Sequence, residues 1–246
     1  MAKPILEVIA LDAADARAAQ SGGADRIELV SDMVSAGLTP DVETFAAVRA
    51  AVDLPVRVML RNRSGYGLSD ATGLSAEVEA LRQAGADQFV LGFLDPGGAV
   101  DVASVEAVLD AIGGCPWTFH RAFDHTTDRT AGWRALAGLP GLDFVLTAGG
   151  PAGVADGIAT LAAEARAAPR ILAGGGLRPE HVAPLRAAGV DAFHTGAAVR
   201  PGGRWDQPVD AALVRGWRIR LDRQPERRPA GGLRAGSRSG RPGTDS

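Results

Sequence analysis

Three observations predict an α/β chain folded as a single-domain (β/α)8 barrel of TIM type. Short runs rich in Val, Ile, Leu and Phe alternate with Ala-rich amphipathic stretches of helix length, the pattern of repeated βα units on a parallel sheet. Two connectors alternate along the chain: Pro4, Pro55, Pro116 and Pro169 precede the odd-numbered runs, and Gly23-Ala24-Asp25, Gly85-Ala86-Asp87, Gly141-Leu142-Asp143 and Gly189-Val190-Asp191 precede the even-numbered ones. No Gly-x-Gly-x-x-Gly turn follows the first run, where Leu11-Asp12-Ala13-Ala14-Asp15 stands instead, which argues against a doubly wound open sheet.

The first strand is expected over Ile5 to Leu11, with Ile5, Glu7 and Ile9 on one face. The second runs from Arg26 to Val30 and sets Arg26 and Glu28 opposite Ile27 and Leu29. Thr39-Pro40-Asp41 then supplies a cap, an N1 proline and an acid for a helix start. The third strand, Val56 to Arg61, places Arg57, Met59 and Arg61 opposite Val56, Val58 and Leu60. After it, Asn62 to Leu74 carries the only tyrosine, Tyr66, and reads as a substrate loop or as an ordinary surface excursion. Gln88 to Leu94 is the fourth strand. The fifth, Trp117 to Phe123, turns Thr118, His120, Ala122 and Asp124 to the lumen and Trp117, Phe119, Arg121 and Phe123 to the helices. Phe144 to Thr147, Arg170 to Ala173 and Ala192 to Thr195 complete eight. Arg178-Pro179-Glu180 opens the seventh helix, with His181 expected on its surface, and the eighth is expected over Val209 to Leu221 with Trp217 as packing anchor. Glycine ahead of each even strand takes the left-handed helix cap without a Cβ penalty.

The chain has 246 residues, 46% of them hydrophobic, and a net charge of −3, enough apolar material for one sizeable core. From Arg223 to Ser246 a Gly/Pro/Ser-rich segment carries six Arg against Glu226 and Asp245, so residues 1–222 are expected to form an acidic barrel and 223–246 a disordered basic tail. An acidic body without a basic, aromatic patch argues against a nucleic-acid ligand. A single lysine, Lys3, leaves no Schiff-base residue inside the fold, and a single cysteine, Cys115, excludes an intramolecular disulfide and clustered-thiolate metal sites. No apolar stretch approaches the roughly 18 residues of a membrane span, and no secretory h-region opens the chain, so a cytoplasmic location is expected.

Ligand-handling residues of a barrel come from the C-terminal ends of its strands. Alternation turns Glu7, Arg26, Glu28, Arg57, Arg61 and His120 inward, an ionic lumen whose charges must be paired or put to use. Arg26 and Arg57, early in their strands, suit a self-satisfied ionic layer. Glu28 and His120, nearer the mouth, suit an acid/base pair, and Arg61 an anion clamp. Asp124 is either a second catalytic carboxylate or the cap of the next helix. Arg121, Thr147, Gly175, Gly176, His194 and Gly196 stand where substrate or anion contacts are expected, the glycines because barrels often hold a phosphate after strands seven and eight. Glu28, His120, Asp124 and His194 are also of the ligand types that hold zinc or manganese rather than Cu(I). Cys115 falls at the opposite, stability face.

Gly23-Ala24-Asp25-Arg26-Ile27-Glu28-Leu29, Gly37-Leu38-Thr39-Pro40, Thr118-Phe119-His120-Arg121-Ala122-Phe123-Asp124 and Leu146-Thr147-Ala148-Gly149 resemble, in order from about Leu6 to Val199, the CutC family. The resemblance implies a cytoplasmic copper-homeostasis protein with a barrel fold, associating as a dimer or larger homo-oligomer, and copper as the ion. It also reinforces Glu28, Arg61, His120, Arg121, Asp124 and Thr147 as pocket positions. Many members carry Cys after the Glu-Leu of the second strand, where this chain has Val30. A copper site is therefore expected without its usual cysteine ligands. The alternative expectation is a lyase or isomerase working by acid/base catalysis on a small anionic or phosphorylated metabolite.

Overall fold

The computed structural model describes residues 3–166 and 170–223. Eight parallel strands close in sequence order: β1 (Ile5–Ala10), β2 (Arg26–Leu29), β3 (Val56–Met59), β4 (Phe89–Leu91), β5 (Trp117–Phe119), β6 (Leu142–Thr147), β7 (Ile171–Ala173) and β8 (Ala192–Thr195). Helices follow each in turn: α1 (Ala13–Gly22), α2 (Val42–Ala51), α3 (Ala71–Gln83), α4 (Val102–Ile112), α5 (Arg129–Ala137), α6 (Val154–Glu164), α7 (Pro179–Ala188) and α8 (Ala211–Asp222). This is the (β/α)8 barrel that the connectors predicted. Pro169 and all of the basic tail after Arg223 lie outside the described residues. No helix among them is long and apolar enough to cross a membrane.

The connectors have physical work at the closed end. Gly23, Gly85, Gly141 and Gly189 all take positive φ. Three of the Gly-x-Asp acids bind arginines: Asp25 accepts from Arg218 at 2.6 Å, Asp143 from Arg57 at 2.7 Å, and Asp191 from Arg170 at 3.2 Å. Arg57 also reaches Thr118, and the guanidinium carbons of Arg26, Arg57 and Arg170 lie 4.6–5.5 Å from the centre of the Phe144 ring. Aspartate also explains part of the acidic composition: Asp12, Asp41, Asp70, Asp101, Asp128 and Asp210 cap α1 to α5 and α8 by accepting helix N–H groups. Each such cap contributes about 1 kcal/mol.

The main core lies between sheet and helices, with Trp117, Phe45, Phe89 and Phe193 buried there and Trp217 anchoring α8. The lumen is different. Two small apolar groups, Ile9/Val30/Met59/Val90 toward the mouth and Phe144/Leu146/Leu172/Ala192 on the other side, flank a row of buried charges. Register creates that row, because Glu7 is aligned with Arg26 on β2 and with His194 on β8.

Several local expectations need correction. β5 ends at Phe119 rather than Phe123: the His120 imidazole accepts the Ala122 N–H at 3.2 Å and curls the backbone into a 3-10 turn over Arg121–His125. Strand alternation therefore stops before Arg121 and Asp124. Thr39 does not cap α2; Asp41 does, while the Thr39 hydroxyl accepts the Arg61 N–H at 2.9 Å and ties the mouth ends of two loops together. α8 runs from Ala211 to Asp222, displaced from Val209–Leu221 because Asp210 is its cap. His181, expected on the surface, is buried, since its Nδ1 accepts the Arg178 N–H at 3.1 Å and closes the start of α7.

Candidate functional site

A cavity of about 590 Å³ opens at the C-terminal ends of the strands, where Glu28, Arg61, His120, Arg121, Gly175, Gly176, His194 and Gly196 all line it. Tyr66, Met33, Met59 and Trp205 complete its apolar walls.

A buried ionic chain runs into it from below. Arg26 Nε donates to Glu7 Oε2 at 2.5 Å, Glu7 Oε1 meets His194 Nδ1 at 2.8 Å, and His194 Nε2 lies 3.7 Å from Glu28 Oε2. Burial on its own would raise the Glu7 carboxyl, but Arg26 and His194 overcome it and hold Glu7 down at about 2. Glu7 is thus an ionised acceptor that fixes the His194 proton on Nδ1. Burial would lower His194, yet the Glu28 and Glu7 carboxylates bring it above the ordinary imidazole value. Glu28 is raised to about 7, chiefly by burial and then by the nearby Glu7 charge, with His194 acting in the other direction. Its Oε1 has no hydrogen-bond partner among the described residues. Glu28 therefore pairs with His194, and not with His120 as expected from the sequence: no hydrogen bond joins Glu28 to His120 among the described residues.

His120 is a neutral donor. Because Nδ1 accepts from the Ala122 N–H, the ring proton is on Nε2, which is buried without a partner. Burial, then the positive charge of Arg61, push the imidazole down to about 3. Gly92 makes room for the ring, since a Cβ there would lie 2.7 Å from Nδ1, and Phe119 and Tyr66 pack against it with centroids 6.0 and 6.1 Å away.

Arg61 is buried, yet it makes no ion pair among the described residues. Its Nε donates to the Gly65 carbonyl at 3.1 Å and its Nη1 to those of Ala36 and Gly37 at 3.1 and 3.4 Å, so it bridges the loops after β2 and β3. Nη2 donates to nothing among the described residues. The loop it holds is itself strained: Asp32 and Ala36 are the two non-glycine residues with positive φ among the described residues, 43° and 62°.

Asp124 and Thr147 belong to a supporting network instead of the cavity wall. Asp124 accepts from the Thr147 hydroxyl at 2.6 Å, the Ala148 N–H at 3.0 Å and Arg121 Nε at 2.8 Å, while Arg129 Nη1 lies 3.5 Å away. It caps no helix, because Asp128 caps α5. Its effect is to hold Arg121 at the rim. Two of the three glycines expected to admit a phosphate make room for side chains, since a Cβ on Gly175 would lie 2.5 Å from the Arg121 guanidinium and one on Gly196 would lie 2.4 Å from the Trp205 ring, whereas a Cβ on Gly176 would meet nothing within 4 Å. Trp205, missed from the sequence within a Gly- and Pro-rich stretch, is braced by Arg200, which forms a 2.5 Å ion pair with the buried Asp15.

Residue-by-residue comparison agrees with this architecture. The CutC family model matches residues 5–199. The chain belongs to the CutC family. A family protein CutC of Xanthomonas campestris pv. campestris (strain 8004) is 39% identical over 203 residues, covering 78% of this chain and 82% of that relative. Another, from Klebsiella pneumoniae (strain 342), is 35% identical over 207 residues, covering 82% and 81%. The crystal structure of the CutC protein of Streptococcus agalactiae, named for copper homeostasis, superposes with a TM-score of 0.72 at 24% identity, covering 78% of this chain and 98% of that one.

The cavity fits a Cu(I) thiolate centre poorly. Cys115 precedes β5 at the closed end, and sulfur near the mouth is confined to Met33 and Met59. Glu7, Glu28 and His194 offer ligand atoms within 4.8 Å of one another, but Arg26 and His194 already occupy both Glu7 oxygens. Glu28 and His194 Nε2 remain, two donors where a stable site needs about four.

Proposed function

We propose that the mouth of this CutC-family barrel binds a small organic anion and transfers a proton on it, as a lyase or isomerase would. The observation that carries the reading is Arg61, a buried guanidinium with no carboxylate partner among the described residues: Nε and Nη1 bond backbone carbonyls, its carbon lies 5.4 Å from the Tyr66 ring centre, and Nη2 is left over. A buried cation without a counter-charge is costly, and an anionic ligand removes that cost. Arg121 and Arg178 on the same cavity are already paired with Asp124 and Glu180, at 2.8 and 2.9 Å, while Glu28 Oε1 and His120 Nε2 supply an acceptor and a donor that no group among the described residues uses.

Copper homeostasis, the role the Streptococcus agalactiae relative is named for, is the family role and the second reading. The Glu7/Glu28/His194 cluster favours an ion of nitrogen- and oxygen-seeking type over Cu(I). Thermal-shift measurements with phosphorylated and carboxylated metabolites test the first reading: the melting temperature should rise for at least one anion, and the rise should vanish in Arg61→Met. Stabilisation by Cu(II) with none by any anion would replace it with the second. A Cu(I) affinity that is lost in Cys115→Ala with Met33→Leu would do so through sulfur.

A further inference from the structure

Resting on the anion reading above, we infer that the ligand is a 2-oxo carboxylate with an apolar side chain, and that Glu28 removes a proton from the carbon next to its carbonyl while His120 holds the carbonyl oxygen. The geometry names each contact. Arg61 and His120 pack against the same Tyr66 ring, the guanidinium carbon 5.4 Å and the imidazole centre 6.1 Å from its centroid, so the two lie close together at the β3 to β5 side of the mouth. A carboxylate on Arg61 Nη2 therefore brings an adjacent oxygen to His120 Nε2–H. Adjacent carboxylate and carbonyl oxygens are the signature of a 2-oxo acid. Glu28 stands on β2, beside the strand that leads to Arg61 and three strands from β5, and lines the same cavity as both. The remaining wall, Ile9, Met59 and Trp205, is apolar and receives the side chain.

The step balances without a further reagent. Glu28 Oε1 takes the proton from C3, the C3–H electron pair becomes the C2–C3 double bond, and the carbonyl π pair moves to oxygen as an enolate held by His120 Nε2–H. Return of the proton to C3 restores the ketone. A neutral imidazole is a suitable donor here because its Nδ1 is already committed to the Ala122 N–H, so the ring stabilises the oxyanion without giving up its proton. A carboxylate raised to about 7 is matched to proton abstraction near neutral pH. His194, fixed by Glu7, is the positioning residue behind Glu28.

The test uses the described protein in D2O with 2-oxobutyrate and 3-methyl-2-oxobutanoate, following loss of the C3–H signal by proton NMR, and with oxalate as a planar enolate analogue followed by calorimetry. The expected result is exchange faster than buffer alone, falling about 100-fold or more in Glu28→Gln and in His120→Asn, with oxalate affinity kept in Glu28→Gln. Glu28→Asp, which keeps the charge, is expected to retain part of the exchange. Oxalate or oxo-acid binding that depends on Arg61, combined with C3–H exchange no faster than buffer, overturns the proton-abstraction step and leaves the anion reading standing. Absence of binding by all three probes overturns the 2-oxo-acid assignment, and the anion reading then stands or falls on the thermal-shift panel.

Discussion

Replacing Glu28 by Gln should stabilise the protein above neutral pH. In the unfolded chain this carboxyl ionises near the ordinary 4.5, whereas in the folded chain it keeps its proton to about 7. The folded state therefore binds more protons between those values, and stability falls as pH rises through the interval. At about 1.4 kcal/mol per pH unit, the gap corresponds to roughly 3 kcal/mol. Gln keeps the volume and carries no charge, so the variant and the wild type should be equally stable at pH 4.5, and the variant should lead by roughly 3 kcal/mol at pH 8. Urea unfolding at the two pH values measures this, with unchanged slopes as the check that both chains unfold in the same way. A variant less stable than wild type at pH 8 would refute the reasoning, because Glu28 would then be an ionised structural partner of His194. The predicted sign marks a residue retained at a cost to stability, as functional groups often are.

Asp124→Ala should cost about 3 kcal/mol, since it leaves the buried Ala148 N–H and Thr147 hydroxyl without their acceptor and frees Arg121, while Arg129 keeps Glu164; a clear drop in melting temperature is expected. Gly196→Ala should push Trp205 off the cavity wall at a cost of about 1–3 kcal/mol, read as a shift in tryptophan fluorescence together with weaker ligand binding. His120, held down at about 3 in the folded state against 6.5 when unfolded, gives stability that is complete above pH 6.5 and lost as pH falls toward 3. Comparing wild type with His120→Asn over that range should show a difference growing by about 1.4 kcal/mol per pH unit, and parallel profiles would contradict the assignment.

The barrel was legible because its punctuation is covalent: proline and Gly-x-Asp connectors mark strand starts whatever the packing. Glu28, Arg61 and His120 were legible because strand alternation holds up to the mouth. The link from Glu7 to His194 was not, because it depends on register between β1 and β8, 187 residues apart in sequence. Asp124 was misplaced because one imidazole-to-backbone hydrogen bond ends β5 early, and no periodicity announces that. His181 was misjudged for a related reason, its ring serving the backbone of its own helix start. Trp205 sits in a stretch whose composition signals only a loop, and its role depends on the buried pair Arg200–Asp15.

The measurement that bears most directly on the central claim is a crystal structure of the protein with whichever anion stabilises it most. The account predicts density for the anion's charged group at Arg61 Nη2, with a second oxygen on His120 Nε2 and Glu28 Oε1 facing the ligand. A metal ion seated between Glu28 and His194 with Arg61 still bonded only to loop carbonyls, or an anion bound away from the mouth, would contradict it.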